Sequence, residues 1–255
     1  MPCNNILTIM EIHSFPTLPS TSTYIADNAA SLPSGYVVET PCQTAGRGQR
    51  GNSWESEPGK NITFSMIMRM PGFAARRQFR ISEAVSLAII ETVVRHTGVA
   101  CSVKWPNDIY AGDRKLCGIL ISHSLAGDTI SYSIIGAGIN INQTCFLSDA
   151  PNPVSAAILT GREYDVGPIL RDTAAAIEAS LCRLASDPGY EQQVHERYMD
   201  CLWRADGTPH PFQDAADGTE FLATVYAVEP LGHLVLRQHP CGTLRRYAFK
   251  EVVWL

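Results

Sequence analysis

The sequence has no long hydrophobic run. Its densest apolar stretches, around Ala84–Val94 and Ile134–Ile139, fall well short of the roughly 20 residues a membrane helix needs, so no membrane partner is expected. The first residues, MPCNNILTIMEIHSFPTLPSTSTY, contain neither the charged nor the apolar region of a targeting segment. Positive charge is not in excess. The 20 Lys and Arg against 25 Asp and Glu give a net charge of −5, which argues against a dedicated nucleic-acid binder. The eight cysteines are scattered, with no CxxC pair, and read as reduced, mostly buried thiols of a cytoplasmic protein. There is no GxSxG elbow, no HExxH and no Cys/His cluster at zinc spacing. The seven histidines are dispersed and read as non-catalytic. With 45% apolar and 18% charged residues over 255 positions, the chain is neither disordered, fibrous nor a coiled coil. It can form one large domain or two smaller ones.

What is present falls into two patterns. Over the first four-fifths, strand-like and helix-like segments alternate. Tyr36–Thr40, Asn61–Met68, Ser102–Lys104, Asp108–Tyr110, Leu116–His123 and Thr129–Ile139 read as strands, β-branched or alternating in character. Tight turns at Ala111–Asp113 and Ala126–Asp128 join the last of them into a meander, which favours a mixed or antiparallel sheet over a parallel one. Arg80–Thr97 reads as a buried helix closed by Gly98. A second helix starts near Pro168, taken as a first-position proline, and a third spans Tyr190–Tyr198. After about residue 200 the pattern changes to short strands (Phe221–Val228, His233–Arg237, Leu244–Phe249 and Glu251–Trp254) separated by Pro/Gly turns. The fold class is therefore α+β, a domain over 1–200, followed by a small all-β barrel over 201–255.

Four stretches carry chemistry. Gln43–Trp54, QTAGRGQRGNSW, formally contains GxGxxG at Gly46, Gly48 and Gly51. The dinucleotide fingerprint requires a helix immediately afterwards, and Pro58–Gly59 forbids one. What remains is a glycine loop whose N–H groups can cradle an anion and whose Arg47 and Arg50 can pair with phosphate oxygens; a solvated basic turn is the plainer reading. The second stretch is Lys104–Tyr110, KWPNDIY, where Pro106 interrupts a strand and Asn107 and Asp108 offer polar groups at a bend. Lys115 opens the next strand and can return beside that bend. In Gly136–Asn142, GAGININ, small residues mark close approach by a ligand or another backbone. Ser20–Tyr24, STSTY, is hydroxyl-rich and also suits a helix N-cap.

In this order and spacing, the motifs resemble those of the biotin protein ligases. That family has an ST pair, a QxAGRGRxG loop, a KWPND bend, a KxxGIL strand and a GAGINxN strand. Here these are Ser22–Thr23, Gln43–Gly51, Lys104–Asp108, Lys115–Leu120 and Gly136–Asn142. The resemblance is specific over about 20–142 and weaker through the helices to the tail, which looks like the family's SH3-like domain. It implies a class II synthetase-like catalytic domain and a two-step reaction. Biotin and ATP, with Mg2+, would form biotinyl-5′-AMP, and a lysine of a biotin carboxyl carrier domain would then take the biotinyl group. It further implies that Lys115, Arg47 and Arg50 stabilise the reacting phosphate. Ser22, Thr23, Tyr24, Gln43, Gly46, Gly48, Gln49 and Gly118, with Arg47 and Lys115, would line the biotin site. Trp54, Asn107, Asp108 and Asn140, with both arginines and Lys115, would lie at the adenylate. No metal ligands are assigned.

About 20 residues precede the ST pair, too few for the winged-helix repressor domain of some members, so DNA regulation is not expected; a homodimer is left open. Three positions depart from the family pattern. Gln49 stands where a further basic residue is frequent, which leaves two readings open, weaker retention of the intermediate or a charge already supplied by Arg50 or another residue; Cys117 replaces a glycine or alanine; and Tyr24 replaces a frequent asparagine. Two other readings stand beside the biotin ligase: a lipoate–protein ligase of the same fold, and a biotin sensor without turnover.

Overall fold

A computed structural model describes residues 11–48, 52–147 and 152–255. The expectations placed on Gln49, Arg50 and Gly51 lie outside the described residues.

Seven strands form the first sheet: β1 (Ile12–Ser14), β2 (Val37–Glu39), β3 (Ile62–Met68), β4 (Ser102–Lys104), β5 (Asp108–Ala111), β6 (Arg114–Ala126) and β7 (Thr129–Ile139), in the order β1-β2-β3-β7-β6-β5-β4. Only β1 and β2 run parallel; the other neighbours are antiparallel. The sheet is mixed, as the meander implied. Gly112 and Gly127, both at positive φ, make the two hairpin turns, a conformation that glycine adopts without steric cost.

α1 (Thr21–Asn28) begins inside the hydroxyl cluster, with Ser20 as its N-cap, the capping role that stretch suited. α2 (Phe79–Thr97) has 14 buried residues and lies in the middle of the main core with β3, β6 and β7. It ends at Gly98 in the left-handed conformation, which frees the last carbonyls to be capped. The short α3 (Ala156–Thr160) follows. α4 (Val166–Ser186) packs on α2. Its N-cap is Asp165, whose side chain accepts from the Gly167 N–H; Pro168 is therefore the third helical residue, not the first. α5 (Tyr190–Asp200) also packs on α2.

The tail is a five-stranded antiparallel sheet of β8 (His210–Asp214), β9 (Glu220–Val228), β10 (Leu234–His239), β11 (Leu244–Tyr247) and β12 (Val252–Trp254), in the order β11-β10-β9-β8-β12. Among the described residues β11 and β12 are its two edges, so the ladder expected to form a barrel is not closed by pairing. β8 escaped the sequence reading because Pro211 demotes any strand pattern. Pro211 lies opposite Leu222 of β9, just beyond the β12 ladder over Phe212–Asp214, and its carbonyl still accepts from the Leu255 N–H at 3.2 Å.

The pattern change near residue 200 falls inside a shared core. Val103 of β4 donates to Cys201 O and accepts from Trp203 N, both at 2.8 Å. Trp105 Nε1 donates to Gly232 O at 3.0 Å, and its ring meets Phe249 edge-on. Phe79 lies so close to Gly232 that a Cβ there would be 2.5 Å from its ring. A chain ended at residue 200 is therefore expected to keep its sheet and helices but to melt about 10 °C lower or more, because Phe79 and Trp105 lose their cover. Calorimetry checks this; an unchanged melting temperature would show that the interface contributes nothing to the first sheet's stability.

Candidate active site

The site starts with hydroxyl chemistry at the head of α1. Ser20 Oγ caps the helix and lies 2.9 Å from Ser22 Oγ. Thr21 donates its N–H (2.8 Å) and its hydroxyl (3.3 Å) to Gln43 Oε1, and Thr21 Oγ1 is 2.8 Å from Ser65 Oγ. These groups make a polar floor at one end of a cavity of about 1100 Å³. Thr63 and Ser65 alternate along an otherwise apolar buried strand, so both face the same side.

The loop after Gln43 folds back on itself as a hairpin. Gly48 N–H donates to Asn52 O (2.7 Å) and Trp54 N–H to Gly46 O (3.0 Å), with Arg47 bridged to Ser53. Arg47 Nη1 donates to Thr23 Oγ1 at 3.5 Å. A side chain at Gly46 would overlap the Trp54 carbonyl, so that glycine is set by packing within the hairpin. Trp54 then lies across the sheet. Gly118 of β6 and Gly138 of β7 are direct cross-strand partners. A Cβ on Gly118 would come within 2.7 Å of the indole, and one on Gly138 would overlap it. The two glycines are a bare patch that an aromatic ring can lie on. Buried Trp54 Nε1 has no hydrogen-bond partner there.

The far end is the bend between β4 and β5. Asn107 Nδ2 donates to Ile119 O at 3.0 Å, and Asp108 Oδ2 pairs with Lys115 Nζ at 2.7 Å. Lys115 thus returns beside the bend, as the hairpin suggested, with its ammonium 6.0 Å from the Trp54 ring centre. Lys104, the cross-strand partner of Asp108, has its ammonium 5.0 Å from the rings of both Tyr110 and Trp203. Burial lowers its pKa, with Arg204 and Lys115 adding repulsion and Asp108 opposing. The Asn140 backbone is tied to Leu116 and Ala156, while its Oδ1 is buried without a partner.

Of the residues expected at the site, Ser22, Gln43, Arg47 and Gly48 line the cavity at the loop end, with Trp54, Gly118 and Asn140 in the middle and Asn107, Asp108 and Lys115 at the bend. Thr23 and Gly46 touch lining residues but do not line it. Tyr24 is a correction, since its ring packs on Phe15, 4.8 Å between centres, in the small core under α1. Two residues along a helix is about 200° of rotation from Ser22, which turns it off the cavity. Sequence reasoning quoted Thr21 and Lys104 within its motifs without assigning them to the site, and it missed Thr63 and Ser65, although the paired hydroxyls in β3 carried a signal. It also missed Trp254 of β12 and Phe249, in the connection between β11 and β12, which reach the cavity wall and left none. Gly138→Ala is expected to unseat Trp54 and loosen the hairpin, so that trypsin cleaves after Arg47 several-fold faster. Unchanged cleavage would mean that the glycine patch does not hold the loop.

Residues 14–140 match the model of the biotin/lipoate A/B protein ligase family. The chain is 36% identical over 126 residues to the bifunctional ligase/repressor BirA of Escherichia coli, covering 49% of this chain and 39% of that one. It is 31% identical over 133 residues to the biotin–[acetyl-CoA-carboxylase] ligase of Paracoccus denitrificans, covering 48% and 53%. The matched stretch therefore spans between about two fifths and one half of these relatives. The solved biotin protein ligase of Aquifex aeolicus in complex with biotin and ATP shares the fold over 95% of this chain and 97% of its own, at a TM-score of 0.77 and 19% identity. The chain belongs to the biotin/lipoate A/B protein ligase family.

Proposed function

We propose that this protein activates biotin with ATP as biotinyl-5′-AMP and transfers the biotinyl group to a lysine of a biotin carboxyl carrier domain. One observation carries the reading: a single cavity joins a hydroxyl- and amide-lined floor to a cationic end across a slot floored by glycine. At about 1100 Å³ it exceeds the usual range for one small ligand, about 300–1,000 Å³, and suits two substrates held together. Thr21, Ser22, Gln43 and Ser65 supply directional donors and acceptors, which suit the ureido ring of biotin. The dithiolane of lipoate offers no comparable hydrogen-bonding groups, so this floor favours biotin within the family.

The chemistry joins two anions, a carboxylate and a nucleotide phosphate, so repulsion must be neutralised before the carboxylate can reach the α-phosphorus. Arg47 and Lys115 stand on the cavity wall for that task, and Arg50 is assigned the same role from its motif. Asn107 and Asn140 offer amide groups to the adenylate. Trp54, lying over the patch of Gly118 and Gly138, would cover the mixed anhydride and keep water out. The carrier lysine would then attack the acyl carbon, forming the amide and releasing AMP. Among the described residues no group of three His, Cys, Asp or Glu could hold a resident metal. Asp108 and Glu55 each put a carboxylate on the cavity wall, and a carboxylate is the donor that would hold Mg2+ carried in on nucleotide phosphates. When bound, that ion supplies further charge neutralisation.

Incubation with Mg-ATP, a carrier domain and either biotin or lipoate tests the assignment by the mass of the carrier. Biotin is expected to add one biotinyl group, and biotin and ATP are each expected to raise the melting temperature. Modification by lipoate and not biotin would overturn the substrate. Ligand-induced stabilisation with no adenylate would favour a sensor.

Lys115→Ala is expected to slow adenylation by about a hundredfold, the scale lost with one electrostatic stabiliser. The fold should survive, because both members of the Lys115–Asp108 pair are partly solvated. A near-normal single-turnover rate in the folded variant would remove Lys115 from the chemistry.

A further inference from the structure

The bend that carries Asn107 and Asp108 is weakly held by its own strands. The β4–β5 ladder is three pairs long and stops at Lys104 and Asp108, which leaves residues 105–107 outside it. Their anchors come from distant parts of the chain. Trp105 is tied to Gly232 and Asn107 to Ile119. Pro106 O accepts a 2.8 Å hydrogen bond from Tyr198 Oη, 92 residues away on α5.

Tyr198 is fully buried, with its ring edge-on to Phe79. Burial, with Glu83 nearby, keeps its hydroxyl protonated far above the ordinary tyrosine range, so it remains a donor. The helix that bears it is fixed to α2 by a charge network. Arg80 Nη1 donates to both oxygens of the fully buried Glu83 at 2.7 Å. Arg80 Nε reaches Glu191 Oε1 at 3.3 Å, and Arg77 also pairs with Glu191. His195, one turn before Tyr198, lies 3.0 Å from Glu83. A buried network of this kind is costly to disturb once formed, so α5 presents the Tyr198 hydroxyl from a rigid mount.

We propose that Tyr198 is a positioning residue for adenylation: through Pro106 O it fixes the bend that aims Asn107 and Asp108, and with Asp108 the Lys115 ammonium, into the cavity. The inference rests on the ligase reading of that cavity. The polar floor of Thr21, Ser22 and Gln43 belongs to other elements, so the effect of Tyr198 falls on the reacting end. Small losses of alignment at a reacting centre are expensive in rate.

Tyr198→Phe deletes only the hydroxyl. It is expected to lower the single-turnover rate of biotinyl-AMP formation about tenfold at saturating ATP and biotin, with KM for biotin unchanged. Amide hydrogen exchange over residues 103–111 should rise in the same variant. Val194→Ala is the control: Val194 is buried on the same helix, so the variant weakens packing but keeps the hydroxyl. It should lower the melting temperature and retain the wild-type rate. A wild-type rate in Tyr198→Phe, unchanged exchange at the bend, or equal slowing by Val194→Ala would each overturn the proposal. If the wild type itself makes no biotinyl-AMP, the ligase reading falls, and the exchange measurement still decides whether Tyr198 holds the bend.

Discussion

The register of β6 against β7 is the constraint on which the site depends. It sets Gly118 opposite Gly138, so two bare positions share one face of the sheet and an indole can lie on them. A slip by one residue would turn every side chain of a strand to the other face. Ile119 would then come to the patch if β6 slipped, or Ile139 if β7 did, and Trp54 would have nowhere to lie. A second ladder, on the other edge of β6, sets it beside β5, where Lys115 meets Asp108. The slot and the cationic end of the cavity thus share β6 as their common strand.

Charge is placed unevenly around that slot. The floor near α1 consists of neutral hydroxyls and an amide that satisfy one another, with the Arg47 guanidinium at its edge beside Thr23, while Lys104, Lys115 and Asp108 gather at the bend. Lys104 and Asp108 are cross-strand neighbours, and Lys115 closes the pair with Asp108. A ligand with a neutral polar head and an anionic tail matches this gradient. Two atoms await a partner at the slot: Trp54 Nε1, a donor, and Asn140 Oδ1, an acceptor. Buried polar atoms are costly without hydrogen bonds, so both favour a bound molecule that supplies them.

Much of this was legible in the sequence. The bounds of β4 and β7 coincide with the predicted strands because their β-branched alternation is bracketed by clear turns. α2 was legible because Gly98 marks its end and nearly every face is apolar. The bend and its return partner could be anticipated from Pro106 and the short hairpin to Lys115. Other features depend on contacts that no local pattern encodes. The Phe249 and Trp254 side chains reach the cavity from the tail, a hundred residues downstream, and the Tyr198 hydroxyl finds Pro106 only once α5 has docked on α2. Tyr24 was misplaced because adjacency to a hydroxyl pair says nothing about helix phase. β8 was hidden by Pro211, which sits at the end of the β12 ladder and takes part through its carbonyl alone.

In the proposed reaction one cavity brings a biotin carboxylate to the α-phosphate of ATP. Exchange of labelled pyrophosphate into ATP tests it most directly, because exchange requires reversible formation of the acyl-adenylate and needs no carrier. Exchange is expected to depend on biotin, to gain nothing from lipoate, and to fall about a hundredfold in Lys115→Ala. Exchange without biotin, or equal exchange with lipoate, would contradict it.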